Sequence, residues 1–256
     1  MKNILVYIFC ISLISVRAQK IYTSADAHSH NDYEQANPFH LAFQHQFGSI
    51  EADIWLKDGN LFVAHDAKDI KPSRTLSGLY LDPINNFLAL GKSIYPDHQK
   101  MQLLIDVKTD AIPTIDALVK LLEAYPSIIK SKKIIIAVSG NRPQPDHYTD
   151  YPSFIYFDGR PTEIYNKASL KKVALISEAF YKFSLWKGEG KIKEEEKNKM
   201  MQAVEASHQM KKPFRFWATP DTEEAWKLLM ETKADFINTD HIETLSAFLQ
   251  KLNSKK

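Results

Sequence analysis

Cysteine is nearly absent: Cys10 is the only one, so the chain beyond it needs no disulfide and gains nothing from an oxidising compartment. Glycine is scarce as well. Eight glycines, none grouped into a phosphate-cradling loop, argue against the nucleotide-binding versions of a doubly wound sheet. Charge of one sign is missing too: 33 basic and 31 acidic residues leave a net +2, which gives no global electrostatic case for nucleic acid. No internal repeat is visible, and the one long apolar run, Ile4 to Val16, is too short to span a bilayer comfortably. With Lys2 ahead of it and Val16-Arg17-Ala18 behind, that run reads as an export signal over residues 1–18. A periplasmic or secreted protein is expected. Of the 256 residues, 238 remain once those 18 are set aside, enough for one large core.

What is present is an alternation of strand-like and helix-like segments. Strands are predicted at Ser24–His28, Ser49–Trp55 with a return at Leu61–His65, Gln102–Val107, Lys133–Val138, Ser153–Phe157, Val173–Ser177, Phe214–Ala218 and Asp235–Asn238. Helices are predicted at Pro38–Phe47, Ile112–Ala124, Lys193–Met210, Thr222–Thr232 and Ile242–Leu252, with Asp221 a candidate N-terminal signal. Leu103-Leu104-Ile105 and Ile134-Ile135-Ile136 are apolar without alternation, as parallel strands covered on both faces are. One α/β domain over residues 19–256, a TIM-type (β/α)8 barrel, is the fold this order predicts, with an open doubly wound sheet as competitor. The stretch from Ala67 to Lys100 fits no strand–helix unit and reads as an insertion near one rim.

Against that frame of apolar strands, Glu51-Ala52-Asp53 stands out. Residues two apart on a strand face the same side, so Glu51 and Asp53 point together. Paired carboxylates in an apolar strand are costly unless a positive charge lies between them, and a hard cation, Mg²⁺ or Ca²⁺, takes oxygen ligands. Other strand ends carry polar groups: His28 and His30 on the first, His65 after the return strand, Asp106 and Lys108, Trp217, and Asn238-Thr239-Asp240. Barrel active sites are built at the C-terminal strand ends, and this many converging charged groups is hard to explain by stability alone.

These residues form a pattern. Ala27-His28, Glu51-Ala52-Asp53, His65-Asp66 and Asp106 resemble the phosphatidylinositol-phospholipase-C-like phosphodiesterase superfamily, in particular glycerophosphodiester phosphodiesterases and sphingomyelinase D enzymes. Asp106-x-Lys108 looks like the sphingomyelinase D version, and Phe216-Trp217-Ala218-Thr219 and Phe236-Ile237-Asn238-Thr239-Asp240 resemble the last two strands of the superfamily. Two departures stand out: His28-Ser29-His30 replaces the usual His-Arg-Gly, removing an arginine from beside the phosphate, and the Glu-Asn-Thr that normally opens the first helix is not visible.

The resemblance implies a single Mg²⁺ or Ca²⁺ held by Glu51, Asp53 and Asp106, with Lys108 as a second positive contact to a phosphodiester. It implies two histidines for acid and base, His65 for one and either His28 or His30 for the other. Asn31 would orient a histidine or touch phosphate, and Trp217 would grip substrate. A small-molecule or lipid phosphodiester is the expected partner, with no nucleic acid and with peripheral membrane contact left open. Two other readings stay in play. His28-x-His30 also resembles the metal-binding start of amidohydrolases, and a catalytically inactive barrel that binds headgroups is a third class.

Overall fold

The computed structural model describes residues 20–97 and 99–254; the export-signal expectation at residues 1–18 lies outside them. Nine strands form one sheet: β1 (Ala27–Ser29), β2 (Ser49–Lys57), β3 (Asn60–Val63), β4 (Met101–Val107), β5 (Ile134–Gly140), β6 (Ile155–Gly159), β7 (Val173–Ala179), β8 (Phe214–Trp217) and β9 (Ile237–Thr239). All pair in parallel except β3, which folds back on β2 as a hairpin through Asp58 and Gly59. The order β8-β7-β6-β5-β4-β2-β1-β9 is brought round into a barrel by a bridge between Arg215 and Phe236. The eight parallel strands make the α/β TIM-type barrel the alternation predicts.

Helices cover the outside: α1 (His40–Gln44), α2 (Asp82–Ala89), α3 (Ala111–Glu123), α4 (Pro126–Ile129), α5 (Lys167–Lys171), α6 (Glu194–Gln209), α7 (Glu223–Glu231) and α8 (Ile242–Asn253). Between β5 and β6 the connection is a 3-10 segment, Pro145–Asp150. α3 buries Ile115, Leu118 and Leu122 at helical spacing against the strands. Each such side chain contributes about 1.5–3 kcal/mol by leaving water. α6 opens on Glu194-Glu195-Glu196, which suits the positive end of its dipole.

The unbroken apolar strands are explained by two separate cores. Leu103 and Ile105 pack outward into the main core with the helices, whereas Leu104 joins Ala137 and Leu175 in a small cluster inside the barrel. Above that plug the lumen is polar, because no helix reaches it and every inward side chain must be satisfied by another.

Three local expectations are corrected. The first strand is shorter than Ser24–His28, since residues 24–26 form a 3-10 turn capped by Thr23. The first helix shrinks to five residues because Phe39, just ahead of it, has a left-handed backbone, φ 65°. The stretch after His65 is no mere insertion: it supplies α2, the helix that completes the unit between β2 and β4. α2 begins through a wide turn, Ser77–Leu81, with no side-chain cap, so no N-terminal signal marks it beyond Pro83.

Candidate active site

The parallel register sets Asp53 beside Asp106, and Asp106 beside Ser139. Partners in parallel strands share a face, so these side chains form one row at the C-terminal end of the lumen, with Glu51 one step below. Oxygens of Glu51, Asp53 and Asp106 lie within 4.8 Å of one another, which makes this the one acidic cluster able to hold a cation among the described residues. Lys108 Nζ bridges two of them, at 2.9 Å from Asp53 Oδ2 and 2.7 Å from Asp106 Oδ2. The other oxygens, Asp53 Oδ1 and Asp106 Oδ1, are buried with no hydrogen-bond partner.

Charge counting agrees with this geometry. Three carboxylates face two permanent cations, Lys108 and Arg215, so one negative charge is left over. Burial, followed by the field of Glu51, pushes Asp53 up to about 6 and raises Asp106 as well. Two buried oxygens without donors and a surplus negative charge fit a hard cation, and Glu51, Asp53 and Asp106 would hold it.

The segment from His28 to Tyr33 can now be read residue by residue. His28 is fully buried beneath the acids. Gln102 Nε2 donates to Ser49 Oγ (2.9 Å), which leaves the Ser49 hydroxyl proton for His28 Nδ1 (2.8 Å). Nε2–H of a neutral ring then donates to Glu51 Oε2 at 2.8 Å. Arg215 Nη1 crowds that same nitrogen at 2.6 Å. Burial first, and Arg215 second, depress His28 to about 4, so it stays neutral. Ser29 and Asp32 brace the turn: Asp32 accepts from the Ser29 hydroxyl, the Phe39 backbone and the buried Tyr80 hydroxyl. His30 Nδ1 lies 2.8 Å from Asp240 Oδ1. Burial pulls His30 down, but the bond to Asp240 and the field of Glu51 outweigh it and raise its pKa.

Asn31 takes the left-handed conformation that turns the chain, φ 45°. Its amide touches the Tyr33 hydroxyl at 2.8 Å. That hydroxyl donates to Asp53 Oδ2 (2.7 Å) and lies 3.1 Å from His65 Nδ1. With its proton given to Asp53, Tyr33 accepts from His65 Nδ1–H, which leaves His65 Nε2 free for proton transfer. The His65 side chain is 59% exposed and sits 3.6 Å from Asp53 Oδ2.

Glu51, Asp53, Asp106, Lys108, His65 and Asn31 are thus gathered within one connected group. His28 lies under it and His30 at its edge with Asp240. Trp217 follows Arg215 by two residues and shares its lumenal side, its ring edge-on to Tyr181 and its Nε1 buried without a hydrogen-bond partner. Asp240 faces His30 instead of capping α8, and Thr222, not Asp221, caps α7.

The sequence reading missed Arg215 and Tyr33. Arg215 is 3% exposed, and its Nη1 lies 3.5 Å from both Glu51 Oε2 and Asn238 Oδ1. A signal was available: Phe214-Arg215-Phe216 alternates, and in a barrel strand the residue opposite two outward aromatics points into the lumen. The amidohydrolase reading fails on this geometry. His28 is occupied by Ser49 and Glu51, His30 turns to Asp240, and neither belongs to a cation-holding cluster among the described residues.

Gly140 guards the acid row. Its φ is +67°, and a Cβ there would fall 1.8 Å from Asp106 Oδ1. Gly140→Ala should displace that carboxylate and weaken Ca²⁺ or Mg²⁺ binding by about tenfold or more, a loss of at least ~1.4 kcal/mol. Calorimetric titration of the cation checks this, and unchanged affinity would remove Asp106 Oδ1 from the ligand set.

Comparison with known proteins places the fold and two sequence segments. Residues 19–96, which hold the His28–Tyr33 segment, Glu51, Asp53 and His65, match the model of the AIM6-like phosphodiesterase domain. Residues 213–243, the last two strands, match the glycerophosphoryl diester phosphodiesterase family. The chain is 24% identical to altered inheritance of mitochondria protein 6 of Eremothecium gossypii, over 86% of this chain and 68% of that one. It is 23% identical to the Arthroderma benhamiae homolog, over 86% and 82% respectively. A glycerophosphodiester phosphodiesterase from Parabacteroides distasonis superposes with TM-score 0.56 at 15% identity, covering 89% of this chain and 96% of that one. A calcium-dependent phosphoinositol-specific phospholipase C from Pseudomonas does so with TM-score 0.56 at 14% identity, covering 89% and 93%. The chain thus shares the TIM-barrel fold of these enzymes and matches phosphodiesterase family models over residues 19–96 and 213–243.

Proposed function

We propose that this protein is an exported, cation-dependent phosphoric diester hydrolase acting on a glycerophosphodiester- or phospholipid-like substrate. The observation that carries the reading is the trio Glu51, Asp53 and Asp106, with two buried oxygens left unpaired. Support for export is the N-terminal sequence alone. A bound Ca²⁺ or Mg²⁺ would neutralise charge on the phosphoryl oxygens. Lys108, held in place by two carboxylates, presents a second positive charge to the same anion.

His30 and His65 are the acid–base pair in this reading. His30, its pKa raised and its ring fixed by Asp240, is biased towards its protonated form and suits the leaving alcohol. His65, with Nε2 free, takes the proton of the attacking hydroxyl, from water or from the substrate itself. His28, buried and neutral, positions Glu51 from below.

The test is hydrolysis of bis(p-nitrophenyl) phosphate with and without a chelator. Turnover should vanish with chelator and return with Ca²⁺ or Mg²⁺, and Glu51→Gln and Asp106→Asn, which keep the size and hydrogen-bonding of each side chain, should be inactive, with a thermal melt as the folding control. Carboxylates must be ionised to ligate, and Asp53 is held up to about 6. Cation affinity should therefore fall as pH drops through that value, by about tenfold per unit for one competing proton. Chelator-resistant turnover, or full activity in either variant, would refute the cation assignment. Cation binding without turnover on a panel of phosphodiesters would favour the inactive headgroup-binding barrel.

A further inference from the structure

At the opposite end of the barrel, beside the starts of β5 and β7, one cavity is lined by charge of one sign. A cavity of about 420 Å³ opens beside the first residues of β5 and β7 and is rimmed by Lys100, Lys130, Lys132, Lys171 and Lys212. Among the described residues no aspartate or glutamate lines it, although the chain as a whole is nearly balanced. Part of its wall is apolar, with Ile129, Ile135, Phe154 and Tyr156 among the lining residues. Cavities of this size with apolar walls and a few charged groups are where small ligands sit.

Helix C-termini attract cations, and that accounts for Lys171 in the last turn of α5 and for Lys130 beyond α4. It does not account for a rim without a counter-charge. Lys212 is half-buried and donates only to the Val173 carbonyl, at 2.7 Å. Lys172, beside the cavity, donates only to the Pro152 and Tyr151 carbonyls. Burial lowers both ammonium groups, Lys172 to about 8, as expected of half-buried cations without a carboxylate partner.

We propose that this basic cavity at the N-terminal mouth binds an amphipathic anion: a phosphate or comparable acidic head held by the lysines, with an apolar chain or ring against Ile135, Phe154 and Tyr156. The head supplies the counter-charge that the rim lacks, and the apolar part removes exposed hydrocarbon from water. The site is distinct from the carboxylate cluster, which lies at the other end of the strands, so both can be filled together.

Hexyl phosphate titrated calorimetrically into the whole protein is the test, with Lys132→Glu/Lys171→Glu as the paired variant. Wild type should bind one equivalent saturably, and the variant about tenfold or more weaker. Inorganic phosphate, which has no apolar part, should bind the wild type at least about tenfold more weakly than hexyl phosphate. The variant's melting temperature serves as the folding control; if it falls, Lys132→Gln/Lys171→Gln gives the same comparison with a smaller loss. Equal affinity in both chains would place the binding elsewhere and overturn the proposal, as would the absence of saturable binding. Lysine-dependent sedimentation with phosphatidylglycerol vesicles, without hexyl phosphate binding, would also overturn it and make this face a membrane-docking patch.

Discussion

Replacing His65 with alanine should lower kcat on bis(p-nitrophenyl) phosphate by about 10²–10⁴, the range for a positioned acid–base group. His65 stands on the rim and bonds only the Tyr33 hydroxyl, so removing it opens no cavity and strands no buried charge. KM and cation affinity should change little, because Asp53 keeps its bonds to Tyr33 and Lys108. That split between kcat and KM separates a proton-transfer role from a binding one. Steady-state kinetics at saturating Ca²⁺ or Mg²⁺ are the measurement, and a rate within about threefold of wild type would take His65 out of the mechanism. Tyr33→Phe offers an internal comparison. It leaves His65 in place but removes the acceptor that sets its tautomer, so a smaller loss is expected.

The second large effect is on stability. Arg215 is a buried guanidinium packed against Glu51 and His28, and Arg215→Leu would leave Glu51 without its fixed counter-charge in a dry lumen. Breaking a buried pair by removing one partner costs about 3–5 kcal/mol. The Glu51 carboxyl shows how much rests on it: burial alone would raise its pKa, yet the His28 bond and Arg215 together hold it well below the usual range. A group held low contributes stability that is present above its unfolded pKa and lost as pH falls through the folded one. Arg215→Leu should therefore cost most near neutral pH and least in acid. Thermal unfolding from pH 4 to 8 checks this. A companion Glu51→Gln/Arg215→Leu variant, which removes the stranded charge, should recover much of the loss, and a loss independent of pH would show that the guanidinium acts only through packing.

Much of this arrangement was readable from residues alone, for reasons that can be stated. Glu51 and Asp53 stood out because strand alternation is strict, and a carboxylate in an apolar strand has few inexpensive explanations. Asp106 followed because it ends the next predicted strand, where barrel active sites are built. Arg215 needed the closed barrel as well as the alternation. A lone arginine between two phenylalanines reads as an outward charge on a covered strand until the barrel is known to close with Arg215 on its inner side. Tyr33 escaped notice, since its bond to Asp53 spans twenty residues and depends on the turn at Asn31. α2 escaped because its start carries no capping side chain. The choice between His28 and His30 is one of depth, and a sequence carries no coordinate for depth.

The hairpin of β2 and β3 has a mechanical consequence. Glu51, Asp53 and His65 ride on a single folded ribbon, and the Ala64 amide is pinned back to the Asp53 carbonyl. The two carboxylates and the imidazole are therefore tied into one covalent ribbon, whereas Asp106 comes from the neighbouring β4. Changes that shift β4 against β2 should alter the spacing of the three acids more than changes within the hairpin turn.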